Sequence, residues 1–357
     1  MSDPNDIESL DLLDDDDESL VAPERYEHRH YTVDKGQALL RIDKYLLGVM
    51  PNTSRNRIQE AADAGAILVN GKPVKSNYRV KPLDEISLVL DHPKTDYTIV
   101  AQQDIPIDVV YEDDDLLVVN KQPGLVVHPG FGNVDGTLLN AIAWHLRDDP
   151  KFDANDPRIG LVHRIDKDTS GLLLIAKNED AKARLALQFF NKTTERTYNA
   201  LVWGVVKEDE GTIDGALGRD PRDRKSFTVL PDDNPTAKHA VTHYRVLERF
   251  AYTTLVECKL ETGRTHQIRV HMKHIGHTLF NDAHYGGDEV LKGVRTAKYK
   301  QFVQNCFELC PRQALHAKTL GFEHPTTHQW MQFDSALPHD MQSLIEKWRK
   351  YTPTQEL

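Results

Sequence analysis

The chain is 357 residues long and 39% hydrophobic, material for more than one packed core, so two folded units are expected. It has no apolar run approaching the ~18 residues of a membrane helix, its acidic start lacks the apolar stretch of a secretory leader, and its three cysteines (Cys258, Cys306, Cys310) form no CxxC pair. These features argue against a membrane span, a disulfide framework and a cysteine zinc site, and lead to the expectation of a cytoplasmic protein with reduced thiols in its core.

The net charge of −11 looks unsuited to a nucleic-acid partner until it is divided along the chain. Residues 1–30 hold eleven acidic side chains, with Asp14 to Glu18 in one run, against Arg25 and Arg29; they carry −9 and leave −2 for all that follows. This segment reads as a disordered acidic tail, either a solubilising arm or an RNA-mimicking one. Residues 31–90 invert the balance, with nine Lys/Arg and six Asp/Glu. Leu39, Leu40, Tyr45, Leu46 and Leu47 suit a short amphipathic helix, and Asn52-Thr53-Ser54 supplies capping chemistry for a second that runs through Ala64 and stops at Gly65. The run Ala66–Val69, the turn Asn70-Gly71 and the alternation Ile86, Leu88, Leu90 predict strands joined by tight turns. Arg41, Lys44, Arg55, Arg57, Lys72 and Lys75 distribute positive charge over these helices and loops. That pattern suits a phosphate backbone, and ordinary exposed helices show it too. Residues 91–105 are polar, interrupted by proline, and read as a linker.

From residue 106 to 352 strand patterns predominate: Leu116–Val119, Leu125–Val127, Leu172–Ala176, Tyr198–Trp203, Val241–Leu247, Thr254–Leu260 and Leu315–Phe322. Helical patterns cover Thr137–Leu146, Glu179–Asn191, Thr265–Ile275 and Pro338–Tyr351. Strands outnumber helices and hairpin-like successions are common, so an α+β fold with a mixed, mainly antiparallel sheet is expected rather than a doubly wound one. No glycine-rich phosphate loop and no solenoid repeat is present.

Three stretches carry chemistry. In HRIDKDTSG (163–171) a polar loop leads into the apolar strand LLLIA and sets Asp166 at a sheet edge, where a carboxylate can be partly desolvated yet face a cleft; a charged turn pairing Arg164 with Asp166 or Asp168 is the plainer alternative. In TGRTHQIRVHMKHIG (262–276) helical spacing puts Gln267, His271 and His274 near one face and points Arg269 elsewhere. Its histidines have no carboxylate at ligand spacing, so no metal is expected. In ERTYNALVWG (195–204) alternation puts Tyr198 on one strand face, as a core tyrosine or as a ring that stacks on a planar partner. The segment GRDPRDRKS (218–226), with Arg219, Arg222, Arg224 and Lys225, reads as a basic loop or a solvated hairpin tip.

Two resemblances follow from these residues. RIDKYL, SRNRIQEAADAGAILVNGKPV and DEISL resemble the αL RNA-binding module named after ribosomal protein S-four. Across residues 36–350, the three stretches above, with VVYEDDDLLVVNKQPGLVVHPG before them and RQALHAKTLGFEHP after, resemble the RluA/RluD-type branch of the RNA pseudouridine synthases. Gln122 stands where that family more often has proline, and HRID replaces its HRLD with an apolar exchange of similar volume.

The resemblance implies that Asp166 is a catalytic aspartate, Tyr198 an active-site tyrosine and Arg269 the basic partner of the aspartate. His163, Arg164 and the 218–226 segment become candidates for RNA contact. The implied reaction is isomerisation of uridine in large-subunit ribosomal RNA or its precursor particle, with no cofactor and no metal, by a monomer. The competing readings are a ribosome-associated RNA-binding protein without chemistry and a metal-dependent nucleic-acid hydrolase.

Overall fold

Val33, Ile42, Leu46, Ile58, Ile67 and Ile86 close a small core that belongs to the first part of the chain alone. The computed structural model describes residues 26–50, 55–90, 105–129, 133, 135–149, 160–231 and 233–351, which fall into two compact units, 26–90 and 105–351. The acidic tail as far as residue 25, the expected cap Asn52–Ser54 and the linker residues 91–104 lie outside the described residues.

In the first unit the chain runs through β1 (Tyr26–Thr32), β2 (Leu40–Arg41), α1 (Ile42–Val49), α2 (Arg55–Asp63), β3 (Ile67–Val69), β4 (Lys72–Pro73), β5 (Arg79–Val80) and β6 (Glu85–Leu90). The order β1-β6-β3-β4 forms one sheet, and β2 pairs with β5. The turn read at Asn70-Gly71 joins β3 to β4, with both residues at positive φ (50° and 76°), as such a turn requires. One expectation needs correcting: residues 26–30, assigned to the tail, are ordered in β1. YEHRHYT lacks the apolar alternation by which a strand is recognised. It is held instead by a backbone ladder to β6 and by polar cross-strand bonds of Ser87 to Glu27 and His30 to Glu85.

The second unit contains β7 (Val109–Glu112), β8 (Leu116–Lys121), α3 (Leu138–His145), β9 (Ser170–Ala176), α4 (Glu179–Phe190), β10 (Glu195–Trp203), β11 (Glu210–Asp214), β12 (Leu217–Asp220), β13 (Asp223–Val229), β14 (Val241–Arg249), β15 (Thr253–Leu260), α5 (Gln267–His274), α6 (Ala297–Leu309), β16 (Leu315–Glu323), β17 (Trp330–Asp334) and α7 (His339–Arg349). Among the described residues a nine-stranded sheet runs β11-β14-β15-β10-β16-β9-β8-β7 with β17 added beside β16, and only the β9–β16 pair is parallel. The mixed, mainly antiparallel α+β fold is the one expected.

Both faces of this sheet are covered, which explains why its central strands read as unbroken apolar runs. Leu117, Val119, Leu173, Ile175, Ala200 and Val202 face a core shared with α3 and α5. The alternate residues Leu116, Val118, Leu172 and Leu174 pack against α4, and Leu201 and Trp203 against α6 and α7. Tyr198 belongs to the face that carries α5. The apolar run Leu125–Val127 is not a strand; the carbonyls of Val126 and Val127 accept from Leu138 and Leu139 at the start of α3 while Leu125 and Val127 fill the core. Residues 218–226 form the β12–β13 hairpin. All three cysteines are buried free thiols, each pushed up to about 12 by burial.

Candidate active site

Asp166 ends up beside Arg269 although 103 positions separate them, because Ile165 and the β9 residues Leu173 and Ile175 share one core with Ile268 and Met272 of α5. Its Oδ2 accepts from Arg269 Nη1 at 2.9 Å, and His266 Nε2 lies 4.0 Å from the same oxygen. No hydrogen bond from the described residues reaches Oδ1. Burial opposes ionisation of this carboxyl, but His266, Arg269 and Arg164 outweigh it and hold its pKa down at about 2. Arg269 is itself fixed from behind: Nε and Nη2 donate to the two oxygens of Asp282 at 2.8 and 2.9 Å, a fork-to-fork pair. Asp282, 1% exposed, also accepts from the Tyr285 backbone N–H, capping the short turn Ala283–Tyr285. The guanidinium carbon stands 5.0 Å from the centroid of the Tyr285 ring. Asp282 and Tyr285 were missed in the sequence: FNDAHYGG carries no motif that ties its aspartate to a helix thirteen residues earlier.

The loop that presents Asp166 is pinned at several backbone points. Lys121, 2% exposed, donates from Nζ to the carbonyls of Gln122, Leu125 and Lys167 at 2.8–2.9 Å. Burial pushes its pKa down to about 7 against the pull of Asp166 and Asp168, yet three carbonyl acceptors are satisfied together only by the ammonium. On the other side Arg312, gripped by Asp340 at 2.7 Å, donates to the Asp168 carbonyl at 2.8 Å and to Ser170 Oγ at 3.2 Å. Asp168 thus enters the scaffold through its backbone oxygen. Gly171, at φ 113°, lets β9 lie against β16: a Cβ there would stand 2.2 Å from the Ala317 carbonyl oxygen. Lys121→Met, which removes one donor for three buried carbonyls, is expected to destabilise the protein by about 3 kcal/mol and to lower conversion along with it. Thermal unfolding beside an activity assay checks this, and an unchanged melting temperature would contradict the pinning role.

Tyr198 pairs with Ala317 on β16, and Ala317 with Gly171 on β9, so the tyrosine stands in one cross-sheet row with the strand that follows the Asp166 loop. It is 6% exposed, and its phenol is pushed upward by burial, with Arg196 opposing and the negative Asp166 adding to the rise. The structure therefore brings Asp166, Arg269 and Tyr198 to one place. It does not do so for His163. That ring is 6% exposed and stacked on Phe189 at 4.6 Å, its Nε2 accepts the Leu174 N–H, and burial followed by Arg196 pushes it down to about 3. His163 is a neutral core residue, and its expected RNA contact is withdrawn. Arg164 is half-buried and adds positive charge near Asp166.

On the β12–β13 hairpin Arg219, Arg222 and Lys225 are exposed, with Arg219 lying 4.4 Å over the Phe227 ring; the side chain of Arg224 lies outside the described residues. In the first unit Lys44, Lys72 and Lys75 are exposed, whereas Arg41 and Arg55 both reach the fully buried carboxylate of Asp43 at 2.9–3.1 Å. The side chain of Arg57 also lies outside the described residues. The histidines of residues 262–277 do not converge. His271 bonds Thr242 Oγ1 and the Gly215 carbonyl, His266 bonds Tyr285, and His277 bonds the Trp203 carbonyl. A different trio, Asp113, Asp115 and His324, has ligand spacing, but Asp113 is already committed to Tyr111, His324 and two backbone N–H groups.

The site thus gathers an ionised, half-sheltered carboxylate with one oxygen held by arginine and a tyrosine nearby. Residues 115–274 match the family model of RNA pseudouridylate synthase, and residues 40–86 that of the S4 domain. A Chlorobaculum parvum protein named as an uncharacterized RNA pseudouridine synthase is 48% identical, over 89% of this chain and 96% of its own. A Pseudomonas aeruginosa protein named ribosomal large subunit pseudouridine synthase D is 41% identical over 87% of this chain and 92% of its own. Among solved structures, human RNA pseudouridylate synthase domain containing 4 is 21% identical with a TM-score of 0.50, over 69% of this chain and 95% of its own, a likeness of fold. The chain belongs to the RNA pseudouridylate synthase family. It is an RNA-modifying isomerase, and its first unit carries an RNA-binding S4 domain.

Proposed function

We propose that this protein isomerises specific uridines of large-subunit ribosomal RNA to pseudouridine, with Asp166 starting the reaction. The observation that carries the assignment is the 2.9 Å bond from Arg269 to Oδ2 of Asp166, which keeps the carboxylate charged while Oδ1 takes no hydrogen bond from the described residues. The substrate is supported by similarity to proteins named as ribosomal large subunit pseudouridine synthases.

Isomerisation breaks N1–C1′ and forms C5–C1′; the C5 proton leaves and N1 gains one, so no atom is added or lost. Oδ1 serves either as nucleophile at C1′ or as base toward the 2′ proton, and both roles require the charge that Arg269 protects. Tyr198 stacks on the detached uracil and keeps it in place while it turns. The target base must first leave its stack, at a cost of a few kcal/mol that contacts to flanking RNA offset. Arg164 and the hairpin residues Arg219, Arg222, Arg224 and Lys225 supply those contacts in this reading. The first unit adds Arg41, Lys44, Arg55, Arg57, Lys72 and Lys75 on phosphates, the protein acts as a cytoplasmic monomer, and a tail and a linker flank the first unit.

Mapping pseudouridines in ribosomal RNA from cells with and without this protein tests the proposal; an unchanged map defeats it. The phosphate contacts have their own test. Lys72→Ala with Lys75→Ala is expected to lower the slope of log affinity against log salt by about 2 and to leave the rate of bound RNA unchanged. These lysines are chosen because Arg41 and Arg55 also neutralise Asp43, so their removal mixes stability with binding.

A further inference from the structure

His266 precedes α5 with φ 55° and ψ 18°, in the left-handed region that is uncommon for a residue with a side chain. Its surroundings are rings. The His266 side chain is 8% exposed, with the rings of Phe227, His284 and Tyr285 edge-on to it at 5.2–5.9 Å between centroids. Its Nδ1 is 2.8 Å from the Tyr285 hydroxyl oxygen, which also accepts the Phe227 N–H at 3.2 Å. Its Nε2 faces Asp166 Oδ2 at 4.0 Å, beyond hydrogen-bond range but close enough for a strong electrostatic influence in a sheltered site.

These contacts order the protons. The negative charge of Asp166 favours the imidazole proton on Nε2, and Nδ1 is then an acceptor that the Tyr285 hydroxyl can serve while its oxygen still accepts from Phe227. The resulting chain runs Phe227 N–H to Tyr285, Tyr285 O–H to His266 Nδ1, and His266 Nε2–H toward Asp166.

We propose that His266 is a positioning residue: together with Arg269 it claims Oδ2 of Asp166, so that the carboxylate cannot swing and Oδ1 is the oxygen shown to the ribose. Arg269 alone fixes one point of the carboxylate; the positive end of the Nε2–H dipole, directed at the same oxygen from 4.0 Å, adds a weaker restraint on its rotation. Tyr285 serves two arms of this device, since it orients the imidazole through its hydroxyl and lies under the Arg269 guanidinium through its ring. The inference rests on the reading of Asp166 as the group that starts the reaction.

The test uses the full-length protein and an in vitro transcript of large-subunit ribosomal RNA bearing the mapped uridine, followed in single turnover at saturating enzyme. His266→Gly, which suits the left-handed backbone and removes the ring, is expected to slow conversion about 100-fold at unchanged RNA affinity. Added imidazole, which can enter the vacated space, is expected to restore part of the rate. Tyr285→Phe, which removes only the orienting hydroxyl, should slow it about 10-fold. His266→Asn, also at ease with positive φ, provides a second variant should the glycine loosen the fold. The proposal is overturned if both His266 variants convert RNA at the wild-type rate while Asp166→Asn is inert, or if the loss is confined to RNA affinity, or if imidazole restores nothing. An active Asp166→Asn would instead remove the reading of Asp166 itself.

Discussion

Asp166→Asn is expected to lower conversion by at least about 10³-fold while leaving the fold and RNA affinity close to those of the unchanged protein. The amide matches the carboxylate in size and can still accept from Arg269, whose other two donors stay on Asp282. What disappears is the negative charge, which attack at C1′ and removal of the 2′ proton both need. The pH dependence sharpens the expectation. The Asp166 carboxyl is held at about 2, below its ordinary value, so it stays ionised at every pH above about 4, and loss of its charge sets in only as pH falls toward 2. No limb of the rate profile between pH 5 and 9 should belong to it. Asp168→Asn is the control: its carbonyl, which Arg312 holds at 2.8 Å, survives the substitution, so conversion should persist. Near-normal activity of Asp166→Asn at saturating enzyme would defeat the assignment, and an inert Asp168→Asn beside it would show the wrong carboxylate to have been chosen.

Much of the site was legible because the sequence breaks its own patterns there. Charged residues interrupt an apolar run at HRIDKD, and a carboxylate at the mouth of a buried strand is the place the structure gives Asp166. The central strands declared themselves through continuous apolar runs, and α3, α4, α5 and α7 through helical spacing, α7 also through the proline at its first turn. What escaped depends on long-range pairing. β1 is polar and gains its order from β6, over fifty residues away. The α6 segment repeats Tyr299, Val303, Cys306 and Phe307 at helical spacing, yet interspersed lysines and glutamines lower its apolar contrast. His163 was misread for a related reason: a histidine beside an arginine and an aspartate looks like a polar loop, but it follows by two residues the bridge of Leu161 to Ile175 of β9, and its imidazole accepts the Leu174 N–H. Asp282 carries no local signal at all, because its meaning is the guanidinium it meets.

That meeting supports the second large effect. Arg269→Met is expected to abolish measurable conversion and to destabilise the protein by about 3–5 kcal/mol, since it leaves two sheltered carboxylates, Asp166 and Asp282, without the cation that neutralises both. Asp282 is the more costly of the two, being 1% exposed and, among the described residues, otherwise bonded through its carboxylate only to the turn it caps. Arg269→Lys keeps the charge but not the planar fork: one ammonium cannot span both oxygens of Asp282 and also reach Asp166, so stability should partly return while conversion stays low. The double variant Arg269→Met with Asp282→Leu separates the effects. Replacing the buried pair by apolar groups of similar volume should recover most of the lost melting temperature, and conversion should remain absent because Asp166 still lacks its partner. Thermal unfolding and single-turnover conversion, measured on the same preparations, read the two quantities. If Arg269→Met folds as stably as the unchanged protein, the bridging geometry has been misjudged. If the double variant regains conversion as well as stability, Arg269 supports the fold alone and the charge on Asp166 is secured by other groups.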